Sequence, residues 1–142
     1  VIALIGCGAH KARRAAPARE FYQGTMFQHA VIYVEQVLDV PWYALSAGHG
    51  LVHPDQVLEP YDVTLPTERN SLERRMWAWR VAQQLLDLGL NVCGQEWLIL
   101  AGRLYRDPLE QYLRGRIVAP LRGRVGQQVA WLKEQTERSH EG

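Results

Sequence analysis

Residues 42–65 read "WYALSAGHGLVHPDQVLEPYDVTL". Trp42 to Leu45 is an uninterrupted apolar run, as expected of a strand buried on both faces. It stops at Ser46 and gives way to a long stretch of glycine, proline, histidine and carboxylate. A loop of that length with no helix or strand of its own is uncommon in a compact domain, and is usually either functional or disordered. Leu51, Val52, Val57, Leu58, Tyr61, Val63 and Leu65 supply too much apolar surface for a segment meant to stay solvated. The expectation is an ordered loop, from 46 to 62, that lines a site.

Two more apolar runs resemble Trp42–Leu45. Val1 to Ile5 ends in Gly6-Cys7-Gly8, and "EWLILAG" (96–102) ends in Ala-Gly. Helical periodicity lies between them. Phe27, Ala30, Val31, Val34, Val37 and Leu38 share one face, with Thr25 placed as a cap and Pro41 as a stop. Asn70 and Ser71 open a helix from about Leu72 to Leu88, closed by Gly89. Asp107-Pro108 reads as a cap and first turn for a short helix ending at Gly115, and a C-terminal amphipathic helix is expected at about 125–137. The five tryptophans read mainly as core. Strands alternating with helices predict a single-domain α/β fold, a small parallel sheet of three or more strands with helices on both faces and a core at about residues 1–121. Ligands bind beyond the carboxyl ends of such strands, which here are "GCGAHK", "SAGHG" and "AGRLY".

The chain has 142 residues, 47% apolar and 22% charged, enough for one domain and one core. No apolar run approaches the roughly 20 residues that cross a bilayer, and the basic cluster of "VIALIGCGAHKARR" follows its apolar stretch, the reverse of a secretory signal. A cytoplasmic protein is expected, with no membrane partner. Cys7 and Cys93 lack metal or disulfide spacing, so neither metal nor cofactor is expected. Net charge is only +1, but fourteen of the sixteen basic residues are arginine and they cluster. Lys11, Arg13, Arg14 and Arg19 stand together without an acid, and six arginines between Ile99 and Arg124 face only Asp107 and Glu110. Arginine suits phosphate geometry, although an arginine-rich solvated surface would look the same.

At the first turn, Gly8 and Lys11 can hold an anion, but the spacing is neither a P-loop nor a dinucleotide fingerprint. At the second, Ser46 and His49 are followed by His53, Asp55, Glu59, Tyr61 and Asp62. A serine triad lacks its nucleophile elbow, and Gly50 and Pro54 break the helix that metal-binding histidines at 49 and 53 would need. Acid-base work by His49 with Asp55, Glu59 or Asp62 is the more economical functional reading; the alternative is that His49 satisfies a turn. At the third, Arg103 and Arg106 could hold phosphate and Tyr105 could stack on a base.

These turns resemble the YaaA-type peroxide-stress family and its short bacterial and phage relatives. The likeness is carried by "LSAGHGLVHPDQVLEPYDVTL", "GCGAHK", "FYQGTMF", "WAWRV", "LAGRLYRDPL" and "IVAPL", in order across about residues 1–121. The matching positions are Lys11, Gly24, Ser46, Gly50, Pro60, Tyr61, Ala101 and Tyr105. This chain is much shorter than the peroxide-stress proteins, and short relatives tend to carry Lys where Gly48 stands. The resemblance implies a compact α/β fold and a link to DNA and oxidative DNA damage.

Together these readings set the expected function. It is DNA or nucleobase binding at the sheet's carboxyl edge, with glycosylase-type hydrolysis of a damaged or modified base by His49, Asp55, Glu59 and Asp62. Lys11, Gly8, Ser46, Tyr61 and Tyr105 would bind the base, and Arg13, Arg14, Arg103 and Arg106 the phosphates. A non-catalytic DNA-binding module and a nucleotide-metabolite enzyme are the alternatives.

Overall fold

The computed structural model describes residues 1–141. Its centre is β1 (Ile2–Gly6), every residue of which is buried. Ala3 and Ile5 face one hydrophobic cluster while Ile2 and Leu4 face another, so the strand has two dry faces and no polar alternation. Two other apolar runs flank it in parallel: β3 (Trp42–Ser46) on one side, with Leu4 opposite Tyr43, and β6 (Glu96–Leu100) on the other, with Leu4 opposite Ile99. The α/β fold read from the sequence is the one observed.

The sheet is wider than three strands, because its edge strands, three residues each, are too short to stand out as apolar runs. The strand β7 (Arg116–Val118) adds in parallel beyond β6, and β4 (Gly50–Val52) folds back antiparallel on β3 through Ala47-Gly48-His49. The order across the sheet is β4-β3-β1-β6-β7. A separate ribbon pairs β2 (Ala16–Pro17) with β5 (Val57–Leu58). The segment after Ser46, expected to lack regular structure, therefore contains two short strands. They give its backbone hydrogen-bonding partners and hold it on the core.

The helices cover both faces. On one lie α1 (Ala18–Phe21), α2 (Thr25–Ile32), which continues as a π-helical segment to Leu38, and α5 (Val125–Glu141), contributing Phe21, Phe27, Val34 and Leu132. On the other lie α3 (Leu72–Asp87) and α4 (Arg103–Glu110), contributing Trp77, Val81, Leu85 and Leu109. Ser71 accepts the Arg74 N–H as the cap of α3, and Gly89 takes a positive φ of 75° just beyond its end.

Three expectations fail here. Thr25, read as a cap, is the first residue of α2, and the cap position is Gly24 with no side-chain bond. The sequence places Pro108 in a first turn, yet α4 begins at Arg103 and the proline lies inside it. A proline cannot donate to the carbonyl four residues back, that of Leu104. The buried Arg74 guanidinium donates to this carbonyl from Nε at 3.1 Å and Nη2 at 2.9 Å, so the orphaned acceptor is satisfied from another helix. Trp79, grouped by sequence with the core, is 55% exposed.

Candidate functional site at the carboxyl edge of the sheet

The loop after β1 leads toward β3, and the loop after β6 leads toward β7 on the opposite side, so the chain changes direction between β1 and β6. Such a switch point opens a crevice at the carboxyl ends of the strands. Here the crevice is narrow: a Cβ on Gly6 would stand 3.0 Å from the Ala101 Cβ and 3.3 Å from Tyr105 Cδ2. Cys7 follows β1 directly, and its Sγ lies 3.6 Å from the Tyr105 hydroxyl.

Tyr61 is at the centre. Its hydroxyl is 2.5 Å from Ser46 Oγ and 2.7 Å from the Tyr22 hydroxyl, a continuous run of three hydroxyls. The Phe21 ring stacks with it at 5.9 Å between centroids, the Lys11 ammonium lies 4.9 Å from its ring centroid, and the His49 ring meets it edge-on at 4.7 Å. Gly48 allows this position, since a Cβ there would stand 3.0 Å from the Tyr61 ring. Lys11 reaches the cluster because its backbone bridges to Tyr22.

Ser46 and His49 are set by the β3–β4 turn. Ser46 Oγ accepts the His49 N–H at 3.1 Å, Trp77 Nε1 donates to the Ser46 carbonyl at 2.8 Å, and Gln84 Nε2 donates to the His49 carbonyl at 3.2 Å. The His49 side chain has its Nε2 buried with no hydrogen-bonding partner. A buried imidazole nitrogen left unpaired is costly.

Burial dominates the site's electrostatics. It raises the Cys7 thiol above its ordinary value, against the smaller opposing pull of the Tyr105 hydrogen bond and the Lys11 charge. Desolvation likewise raises Tyr22, Tyr61 and Tyr105, so the phenols are neutral hydrogen-bonding groups across the physiological range.

His49, Ser46, Tyr61, Lys11 and Tyr105 therefore gather as one constellation, while other expected site residues stand apart. Asp55 is exposed and pairs with Arg19 on the β2–β5 side, with His53 beside it. Glu59 and Asp62 are exposed, and among the described residues neither bonds to the hydroxyl cluster. Gly8 is an exposed turn residue, and Arg13, Arg14 and Arg103 are exposed. Arg106, expected to meet phosphate, is 7% exposed and donates to the Leu121 carbonyl at 3.1 Å, with Asp107 and Glu110 near its Nε. Its place inside α4 turns it into the fold rather than toward solvent. Tyr22 joins the site without having been singled out for it; the one signal was its place in "FYQGTMF".

No group of three or more metal-ligating side chains occurs among the described residues, and no helix among them is long and apolar enough to cross a membrane. Fold and site thus define a doubly covered α/β domain with a hydroxyl, imidazole and ammonium cluster at the switch point of its sheet. The chain belongs to a family of unknown function (DUF6884), whose model matches residues 2–134. No curated protein matches it.

Proposed function

We propose that this chain binds DNA and receives a nucleobase at the carboxyl edge of its sheet, against Tyr61, His49 and Ser46. The observation that carries the reading is the unpaired His49 Nε2, buried beside three linked hydroxyls. A base has donors and acceptors along its edge and a flat apolar face, and the cluster supplies partners for both. Lys11 and the exposed Arg13, Arg14 and Arg103 supply cations for the flanking phosphates. The likeness to the peroxide-stress family supports DNA as the polymer.

Hydrolysis of the N-glycosidic bond is the catalytic form of this reading, with His49 as the acid-base group because the carboxylates lie elsewhere. Oligonucleotides bearing oxidised or otherwise modified bases test it by release of free base. His49→Gln is expected to keep the fold and DNA affinity while abolishing release. Binding without release from any substrate would favour the non-catalytic module. Affinity for mononucleotides with little salt dependence would favour the nucleotide-metabolite enzyme.

A further inference from the structure

The solvent face of α3 is unusual for a helix packed on a sheet. Leu72, Met76 and Trp79 follow helical spacing, yet they are 61%, 61% and 55% exposed. With Val63 and Leu65 they line a groove of about 670 Å³. Arg75 and Arg80 belong to the same lining, and Arg80 Nη1 donates to the Gly48 carbonyl at 3.1 Å. The groove also includes Ala47, next to Ser46, and a Cβ on Gly48 would lie 3.6 Å from Val63 Cβ, so its end adjoins the Tyr61 cluster.

From this groove a basic path leads away over the surface. Arg75 also lines a hollow of about 520 Å³ that includes Arg69. Arg69 in turn lines a larger hollow of about 870 Å³ with Arg103 and Arg122. The carboxylates of that hollow, Asp107 and Glu110, stand nearest Arg106. Among the described residues no carboxylate pairs with Arg69, Arg103 or Arg122.

We propose that Trp79 and the arginine path form a track for single-stranded nucleic acid. Bases stack in the apolar groove on Trp79, and phosphates follow Arg75, Arg69, Arg103 and Arg122. An exposed indole beside cations suits a strand whose bases offer their flat faces; a duplex hides those faces in its stack. The charges favour a polyanion as occupant, because Arg75 and Arg80 outnumber Glu73, the one carboxylate in the groove's lining. This inference rests on the nucleic-acid reading above and adds strandedness and route: a strand in the groove passes beside Tyr61.

The test uses the full chain with fluorescein-labelled poly-thymidine and, separately, a mixed-sequence duplex of equal length. Poly-thymidine is expected to bind in preference to the duplex and to quench tryptophan fluorescence. Trp79→Ala should weaken strand binding about tenfold, with Trp79→Phe restoring most of it and thermal melting unchanged. Arg69→Ala and Arg122→Ala should each lower the single-strand salt slope by about 0.7. Duplex preference with no effect of Trp79→Ala would overturn the track and leave DNA binding in place. A dimer in sedimentation that Trp79→Ala dissolves, with strand affinity unchanged, would reassign the groove to self-association. Failure to bind either polymer would remove both the track and the DNA reading.

Discussion

Tyr61 shows how a single side chain can depend on segments far apart in sequence. Tyr22 and Ser46 bond its hydroxyl, Phe21 and Lys11 lie against its ring, and Gly48 leaves it room. The buried groups around it have a pH consequence. Burial holds Cys7 above its ordinary value of 9.0, and Tyr22, Tyr61 and Tyr105 above 10.0. On unfolding these groups return to ordinary values, so above pH 9.0 the unfolded chain binds fewer protons than the folded one. Their stabilising contribution is complete below that pH and is lost as the pH rises. Melting temperature should therefore fall steeply between pH 9 and about 11, and Tyr105→Phe should make the fall shallower. A melting temperature constant over this window would show that the phenols are not buried as described.

At the scale of elements, α4 is a helix with a proline inside it, which in isolation costs about 3 kcal/mol. Arg74 makes it tolerable by donating to the carbonyls of Leu104, Arg103 and Glu68. Removing the guanidinium strands the Leu104 carbonyl, which Pro108 cannot serve, while the Glu68 carbonyl keeps the Ser71 N–H; Arg74→Met should therefore destabilise the fold by about 2 kcal/mol in urea denaturation. Pro108→Ala restores an N–H four residues after Leu104 and should recover part of that loss. Strict additivity of the two substitutions would sever the proposed link between them. The start of α4 escapes a sequence reading for the same reason: Asp107-Pro108 looks locally like a helix opening, and the compensating group stands more than thirty positions earlier, in α3.

Over the whole molecule, a net charge of +1 conceals a division of labour among arginines. Arg74 and Arg106 are buried and serve carbonyls, Arg19 pairs with Glu35 and Asp55, and Arg13, Arg14 and Arg103 remain at the surface. On the DNA-binding reading, Arg13→Ala, Arg14→Ala and Arg103→Ala should each weaken DNA binding about equally across sequences. Each cation removed from a phosphate should lower the salt slope by about 0.9 on a duplex, or about 0.7 on a single strand. Arg106→Ala should instead lower stability, since it removes the 3.1 Å bond to the Leu121 carbonyl and leaves only the longer 3.5 Å one from Arg122. Unchanged affinity and slope in all three surface variants would exclude them as the phosphate-binding groups.

The inner strands were legible because burial on both faces leaves a continuous apolar run, as in Ile2–Ile5 and Trp97–Leu100, and no tertiary information is needed to see it. The cap at Ser71 and the stop at Gly89 are equally local, each following from the backbone groups at a helix end. The turns at Ser46-His49 and Ala101-Tyr105 could be read as a shared edge once a parallel sheet was inferred. What only the tertiary structure decided was which groups met there. The order β3-β1-β6 placed Cys7 against Tyr105, and the β2–β5 ribbon drew Asp55 toward Arg19, away from His49. Side-chain chemistry is written at each position. Convergence of Tyr22, Ser46 and Tyr61 depends on long-range pairing and packing, and no local pattern records it.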